Sequence, residues 1–377
     1  MFFPLPSRST ALDDLRSELR SFLADSLESL PAAERARTWH GFDPGFSRKV
    51  AERGWIGLTW PKKYGGHERT MLERYVVLEE MLAAGAPVAA HWTGDRQSGP
   101  LLLRYGTEAQ RQEILPWLVR GEIFFCIGMS EPDAGSDLAN LRTRAVRDGS
   151  GWRINGTKIW TSGAHRKHYM ILLCRTRPRA EKRHEGMSQF LIDLSWPGIT
   201  IRPILNIAGD HYFNEVVFTD CLVPDSAIIG QEGAGWKQVM SELSFERSGP
   251  ERFLTASILL KELVRLSKSK SSERMAIAIG RLTAQLATLR RMSFSIAGAL
   301  QAGLEVGVEA SMVKDLGSIF EQSIPEVARD ILDMTELEDS AFGDVFRYVM
   351  LASPSFSIYG GTREILRSII GRTLAAS

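Results

Sequence analysis

The sequence predicts an α+β protein in which a small β-domain is clasped between two helical domains. Three observations predict this order. Apolar residues recur at helical spacing from Leu12 to about Glu122. Short strand-like runs bounded by turns follow from Phe124 to about Gly235. Helical spacing then returns from Trp236 to the C-terminus. The expected domain limits are 1–123, 124–234 and 235–377.

In the first stretch Leu12, Leu15, Leu19, Phe22 and Leu23 fall on one helical face, and a second stripe runs through Leu72, Tyr75, Val76, Leu78, Glu79 and Leu82. Pro31, Trp60-Pro61, Gly65-Gly66, Gly85-Ala86-Pro87 and Gly99-Pro100 mark the breaks. In the middle stretch 152–154, 169–173 and 190–192 read as strands, and 215–218 with the Pro224-Asp225 turn close it. Asn155-Gly156 has the composition of a hairpin turn joining 152–154 to 158–160. The last stretch predicts helices over roughly 236–267, 273–301, 305–334 and 362–375, with 265–272 as a solvated connection.

The bulk composition excludes several function classes. A chain of 377 residues, 44% hydrophobic and 24% charged, can bury a sizeable core. Lysine plus arginine number 46 against 45 acidic residues, a net charge of +1, so no global field gathers nucleic acid or an anionic membrane. Any bound anion must be held by a local site. Cys126, Cys174 and Cys221 lack metal-ligand spacing and read as buried small hydrophobes. The Met1-Phe2-Phe3-Pro4 start lacks the order of a secretion signal, and no uncharged run approaches the ~20 residues that span a bilayer. A cytoplasmic location is expected, with no metal site.

Three blocks carry the chemistry. Gly128-Met129-Ser130-Glu131-Pro132-Asp133-Ala134-Gly135-Ser136-Asp137 is an apolar strand entering a turn of hydroxyls, carboxylates and glycine. Backbone N–H groups in such a turn can face a polar ligand at close range, although an ordinary surface turn has the same composition. Ile154-Asn155-Gly156-Thr157-Lys158-Ile159-Trp160-Thr161-Ser162 ends in an aromatic and a hydroxyl; by itself Trp160 could equally be a core aromatic. Ile358-Tyr359-Gly360-Gly361-Thr362-Arg363-Glu364-Ile365-Leu366-Arg367 is a glycine turn feeding a helix N-terminus, a place suited to anions and carbonyl oxygens.

In this order and spacing the blocks resemble the acyl-CoA dehydrogenase family, and the resemblance covers nearly the whole chain. It implies an N-terminal helical domain, a middle β-barrel or sandwich domain, a C-terminal four-helix bundle, and FAD as cofactor. By resemblance, the main chain at Met129 and Ser130 meets the flavin's pyrimidine side, and Ser136 contacts flavin phosphate or substrate. Trp160 lies against the ring, and Ser162 donates near N5. Thr362 and Glu364 contact the diphosphate or ribityl side.

The family's usual catalytic glutamate directly precedes Gly-Thr in the C-terminal loop, and here that position is Gly360. A minority carries its base one helix earlier, immediately before an arginine, and Glu246-Arg247 fits that arrangement. The resemblance therefore implies Glu246 as the base that takes the α-proton of an acyl-CoA thioester. Gly360 and Gly361 then polarise the substrate carbonyl, and Arg247 orders the helix. A carboxylate in this role must reach Cα within hydrogen-bond distance. The competing reading is a solvated helical ion pair.

Departures from the family are informative. The arginine and glutamine that hold a neighbouring subunit's flavin adenine are not evident in 274–282, and 332–340 replaces a Gln-x-x-Gly-Gly turn. This resembles heteromeric acyl-CoA dehydrogenases of bacterial steroid catabolism and implies a homo- or heterotetramer, with a paralogous subunit as the suspected partner. The segment 91–100 matches the acyl-pocket region and is polar and aromatic, which suits a bulky oxygen-bearing acyl group unless its side chains face solvent. The basic loop 175–184 lies where the family approaches the CoA nucleotide, though charge runs are commonly just solvated. Electron-transfer flavoprotein is the acceptor the resemblance implies. A flavin oxidase or monooxygenase of the same fold, and a non-catalytic structural subunit, are the alternatives.

Overall fold

A computed structural model describes the chain except residues 1, 2, 7, 8, 179, 180, 247, 248, 271, 334–336, 338, 339, 359 and 377, and except the side chains of 243–246 and 376. The α+β expectation is met. The chain forms two compact units, one of Met1–Phe46, Arg69–Ala89 and Ser244–Ser377, the other of Ser47–Glu68 and Ala90–Leu243.

The longer helices, in chain order, are α1 (Thr10–Ser26), α2 (Met71–Ala84), α3 (Glu108–Val119), α4 (Gly235–Glu246), α5 (Ser257–Ser267), α6 (Glu273–Gln301), α7 (Gly307–Ile331), α8 (Ala341–Ala352) and α9 (Arg363–Ala376). On α1 the stripe Leu15, Leu19, Phe22 and Leu23 is buried as its spacing predicts. Beside it runs a polar seam. Arg16 meets Glu79 at 2.7 Å and also pairs with Glu80, while Arg290 of α6 grips both Glu79 oxygens at 2.6 and 3.0 Å. Buried carboxylates need such partners, because an isolated charge out of water is strongly unfavourable.

Two helix expectations need correction. The single helix expected over 236–267 is two, α4 and α5, with a 3-10 turn at Pro250–Arg252 between them. Pro250 has no N–H to continue a ladder and disfavours helical geometry at Gly249, whose φ, ψ of −77°, 169° is extended. Helix α8 was not expected. Ser340 caps it by accepting from the Gly343 N–H at 2.9 Å, and Phe342, Val345, Phe346 and Val349 form its buried stripe.

The strands are β1 (Phe125–Gly128), β2 (Arg144–Asp148), β3 (Gly151–Ser162), β4 (Tyr169–Arg175), β5 (Met187–Asp193), β6 (Ile199–Leu205), β7 (His211–Pro224) and β8 (Ile228–Ile229). Their order is β6-β7-β3-β2-β4-β5-β8, with β1 added parallel to β4. The core includes Trp152, Ile154, Met170, Leu172, Phe190, Ile192, Val216 and Phe218. All three cysteines are buried and free, as expected.

The predicted hairpin at Asn155-Gly156 is a β-bulge instead. Strand β3 runs straight through it, and its pairing with β7 shifts register between Ile154 and Gly156. Gly156 has φ +151°, and a Cβ there would lie 2.4 Å from the Thr143 hydroxyl oxygen. Asn155 exchanges hydrogen bonds with the Asp220 side chain and N–H, at 3.1 and 2.9 Å. The glycine thus serves close strand approach rather than a reversal. The reversal lies at Gly149, between the paired Asp148 and Gly151.

Candidate active site

In the β-containing unit the signature turn is locked from inside. Glu131, 7% exposed, accepts the Arg142 and Thr143 N–H groups at 2.6 and 2.9 Å. The Lys158 ammonium, fully buried on β3, reaches Glu131 Oε1 at 2.8 Å and the Met129 carbonyl at 2.9 Å. The Ser130 carbonyl accepts the Ile159 N–H at 2.9 Å, and Glu131 and Ala134 exchange backbone bonds at 3.0 Å. Burial pushes the Glu131 carboxyl up, but the Lys158 charge and the hydrogen bonds outweigh it and hold it below its ordinary value. Burial likewise pulls the Lys158 ammonium down, and Glu131 only partly offsets this. A fully paired buried charge of this kind fixes one geometry for the turn and for β3 together.

That geometry brings Met129, Ser130, Trp160 and Ser162 into one neighbourhood. Trp160 has φ +59° and is 55% exposed, with its ring edge-on to Phe213 at 5.8 Å. An exposed indole on a left-handed backbone is the reverse of a core aromatic. Ser162 is half-buried, pairs with Phe213 across the strands, and hydrogen-bonds the Tyr212 phenol, whose pKa burial pushes up. His165 and His211 stack at 3.7 Å and both meet the Asn214 side-chain oxygen, at 3.1 and 2.7 Å. Ser136 lies exposed further along the turn, and a Cβ at neighbouring Gly135 would meet nothing within 4 Å. An exposed aromatic face, hydroxyls beside it and open space at the turn fit a planar, hydrogen-bonding heterocycle such as a flavin.

The segment 94–98 forms a π-helical turn, and Asp95, Arg96, Gln97 and Ser98 are all buried. The solvent-facing alternative for this polar segment is therefore excluded. Arg96 lies 5.4 Å over the Trp92 ring, and Asp95 accepts the Gly57 N–H at 2.7 Å. In the basic loop, Arg183 pairs with Asp137 of the signature turn at 2.6 Å, and Arg177 pairs with Glu232 at 2.9 Å.

In the helical unit Gly360 and Gly361 have φ +73° and +99°, followed by half-buried Thr362 and exposed Glu364. The Thr362 hydroxyl accepts the Ile365 N–H at 3.5 Å, so Thr362 caps α9. Arg363 and Arg367 clasp Asp315 of α7 at 2.9 and 3.1 Å. The same α7 face holds the preceding turn. Lys314 and Ser318 donate to the Phe356 carbonyl at 2.5 and 3.1 Å, and Gln322 donates to the Ser353 carbonyl at 3.0 Å. Glu246 is the last residue of α4. Its side chain, and Arg247 altogether, lie outside the described residues.

Sequence reasoning missed the Glu131–Lys158 lock, the Tyr212–Ser162 bond and the α7 clamp. Only the first left a trace, since both residues stand inside quoted motifs. In the region expected to lack adenine-side contacts, Arg274, Arg281, Gln285 and Asp330 line a groove of about 610 Å3 between α6 and α7. No described helix is long and apolar enough to cross a membrane, and no group that could hold a metal occurs among the described residues.

Comparison with known proteins aligns with this geometry. The chain matches the N-terminal, middle and C-terminal domains of acyl-CoA dehydrogenase over residues 9–122, 126–221 and 233–375. It is 33% identical over 372 residues to acyl-CoA dehydrogenase IpdE1 of Mycobacterium tuberculosis, covering 95% of this chain and 96% of that one. Among solved structures it resembles the Tcur3481-Tcur3483 steroid ACAD, with TM-score 0.88, 29% identity and 98% of each chain covered. It also resembles the ChsE4-ChsE5 complex from Mycobacterium tuberculosis, with TM-score 0.84, 29% identity and 98% of each chain covered.

Proposed function

The chain belongs to the acyl-CoA dehydrogenase family, and on that premise we propose that Glu246 is its base and a bulky, steroid-derived acyl-CoA its substrate. Bound FAD would supply the acceptor for the β-hydrogen, which would leave with its electron pair as the Cα–Cβ double bond forms. The rest falls to this chain's residues. Glu246 takes the α-proton. The Gly360 and Gly361 N–H groups receive the developing negative charge on the thioester oxygen, where fixed donors act most strongly. Arg247 orders the helix end that carries Glu246.

Met129 and Ser130 would hold the flavin's pyrimidine edge through their N–H groups, since their carbonyls are engaged by Lys158 and the Ile159 N–H. Trp160 would cover the ring, and Ser162, hydrogen-bonded to Tyr212, would donate near N5. Ser136, Thr362 and Glu364 serve the phosphate, ribityl or substrate side. The observation that carries this reading is the locked turn bearing Met129 and Ser130 beside an exposed Trp160.

The substrate class is supported by the buried polar segment 94–98, which suits an oxygen-bearing group better than a plain alkyl chain, and by the likeness to a steroid enzyme. The electron acceptor is electron-transfer flavoprotein. An oxidase of this fold would instead reoxidise rapidly in air with product bound.

A paralogous partner completes the flavin site, as the two-component names of the similar structures suggest. Purified alone, the chain is expected to carry substoichiometric flavin, rising towards one per site on co-expression with a neighbouring paralogue. Full occupancy in the chain alone would instead assign the adenine-side contacts to its own groove at Arg274 and Arg281.

A further inference from the structure

Three glycines converge on one buried dipeptide, Glu251-Arg252, which the functional reading does not use. Both residues are 1% exposed. A Cβ at Gly249 would lie 1.9 Å from a Glu251 carboxylate oxygen, and one at Gly317 would lie 2.0 Å from the Arg252 carbonyl oxygen. A Cβ at Gly360 would lie 3.0 Å from both terminal guanidinium nitrogens of Arg252 and 3.1 Å from Cζ. Gly317 sits inside α7, where glycine is unfavourable unless something must approach closely. Here the approach is the backbone of Arg252. The residue is therefore closely packed at both ends, against α7 at its carbonyl and against the Gly360 turn at its guanidinium.

Glu321 accepts the Thr255 N–H at 2.5 Å, and Glu251 lies 4.0 Å from Arg252 Nε. A planar cation buried here is a wall for the backbone that packs on it.

We propose that Arg252 is a positioning residue for the Gly360–Gly361 turn: its guanidinium fills the space a side chain at 360 would take and fixes the turn's N–H groups where they receive the thioester carbonyl. This rests on the role given above to Gly360 and Gly361. It also gives a physical reason why position 360 disfavours a side chain here. The space is filled by Arg252, and φ of +73° disfavours any side chain.

The test compares wild type, Arg252→Lys and Arg252→Gln by two readouts. The first is hydrogen exchange at the Gly360 and Gly361 amides in flavin-free protein, with α6 as internal control. The second is the pH midpoint of the charge-transfer band formed by flavin-loaded protein with a 3-thiaacyl-CoA, a probe that loses its α-proton but cannot complete dehydrogenation.

In Arg252→Gln the two amides are expected to exchange about ten- to a hundred-fold faster with α6 unchanged. The midpoint rises by about one pH unit, since a less polarised carbonyl leaves the α-proton less acidic. Arg252→Lys, which keeps charge but not the planar fork, falls between, and it decides the matter by the same readouts should Arg252→Gln not fold. Unchanged amides and an unchanged midpoint, or faster exchange spread equally over α6, would overturn the proposal. If wild type forms no band with any thioester, the dehydrogenase reading of the turn fails, and the exchange comparison alone still decides whether Arg252 positions it.

Discussion

Replacing Glu246 with glutamine is expected to slow substrate-driven flavin bleaching by about 10²–10⁴-fold, the range a positioned general base contributes. Flavin content and thermal stability should stay at wild-type levels. A thioester α-proton is only weakly acidic, so its removal needs a carboxylate at hydrogen-bond range and a polarised carbonyl together. The position that usually supplies the carboxylate is Gly360, where a φ of +73° and the close Arg252 guanidinium disfavour a side chain. Glutamine keeps the size and hydrogen-bonding reach of Glu246 and removes only its ability to take a proton. Were Glu246 merely a solvated partner of Arg247, the substitution would change stability by roughly 0–1 kcal/mol and leave bleaching untouched. Stopped-flow absorbance under anaerobic conditions separates the two.

Replacing Lys158 with methionine is expected to destabilise the protein by about 3–5 kcal/mol, because it leaves the Glu131 carboxylate buried without its cation. The double variant Glu131→Gln, Lys158→Met removes both charges and should recover part of that loss. Denaturant unfolding of the three proteins gives the comparison.

The pH dependence has a definite sign. Glu131 titrates below its ordinary value in the folded protein. The stability it contributes is therefore present above the unfolded carboxylate value and is lost as pH falls through the depressed folded one. Without Lys158 the folded value rises, so acid destabilisation in Lys158→Met should begin at higher pH. Flavin retention should fall in the same variant, since Lys158 also holds the Met129 carbonyl.

Much of this was legible in the sequence because the informative residues are close together in the chain. The stripe on α1 announces its buried face, and the turn after β1 carries its glycine, hydroxyl and carboxylate in one block. What escaped lies in long-range pairings. Nothing local marks Lys158 as the partner of Glu131, 27 positions earlier.

Asn155-Gly156 has the composition of a hairpin. The length of β7 opposite, and the approach of Thr143 behind, turn it into a bulge. Gly249-Pro250 breaks 236–267, but helical apolar spacing on both sides conceals the interruption. The polar segment 91–100 leaves pocket and solvent face open in the sequence, because side-chain type alone does not reveal burial; the π-helical turn places 94–98 inside. Arg252 was invisible for a similar reason. Its meaning depends on three glycines at 249, 317 and 360, which only the fold brings to it.

The most direct measurement is anaerobic flavin bleaching by a panel of acyl-CoA thioesters, straight-chain and steroid-derived, using the chain co-expressed with its neighbouring paralogue. Bleaching by a steroid-derived thioester, faster than by any straight-chain one, is the predicted result. Flavin that is fully bound yet bleached by no thioester in the panel would contradict the account and leave a scaffold without the reaction.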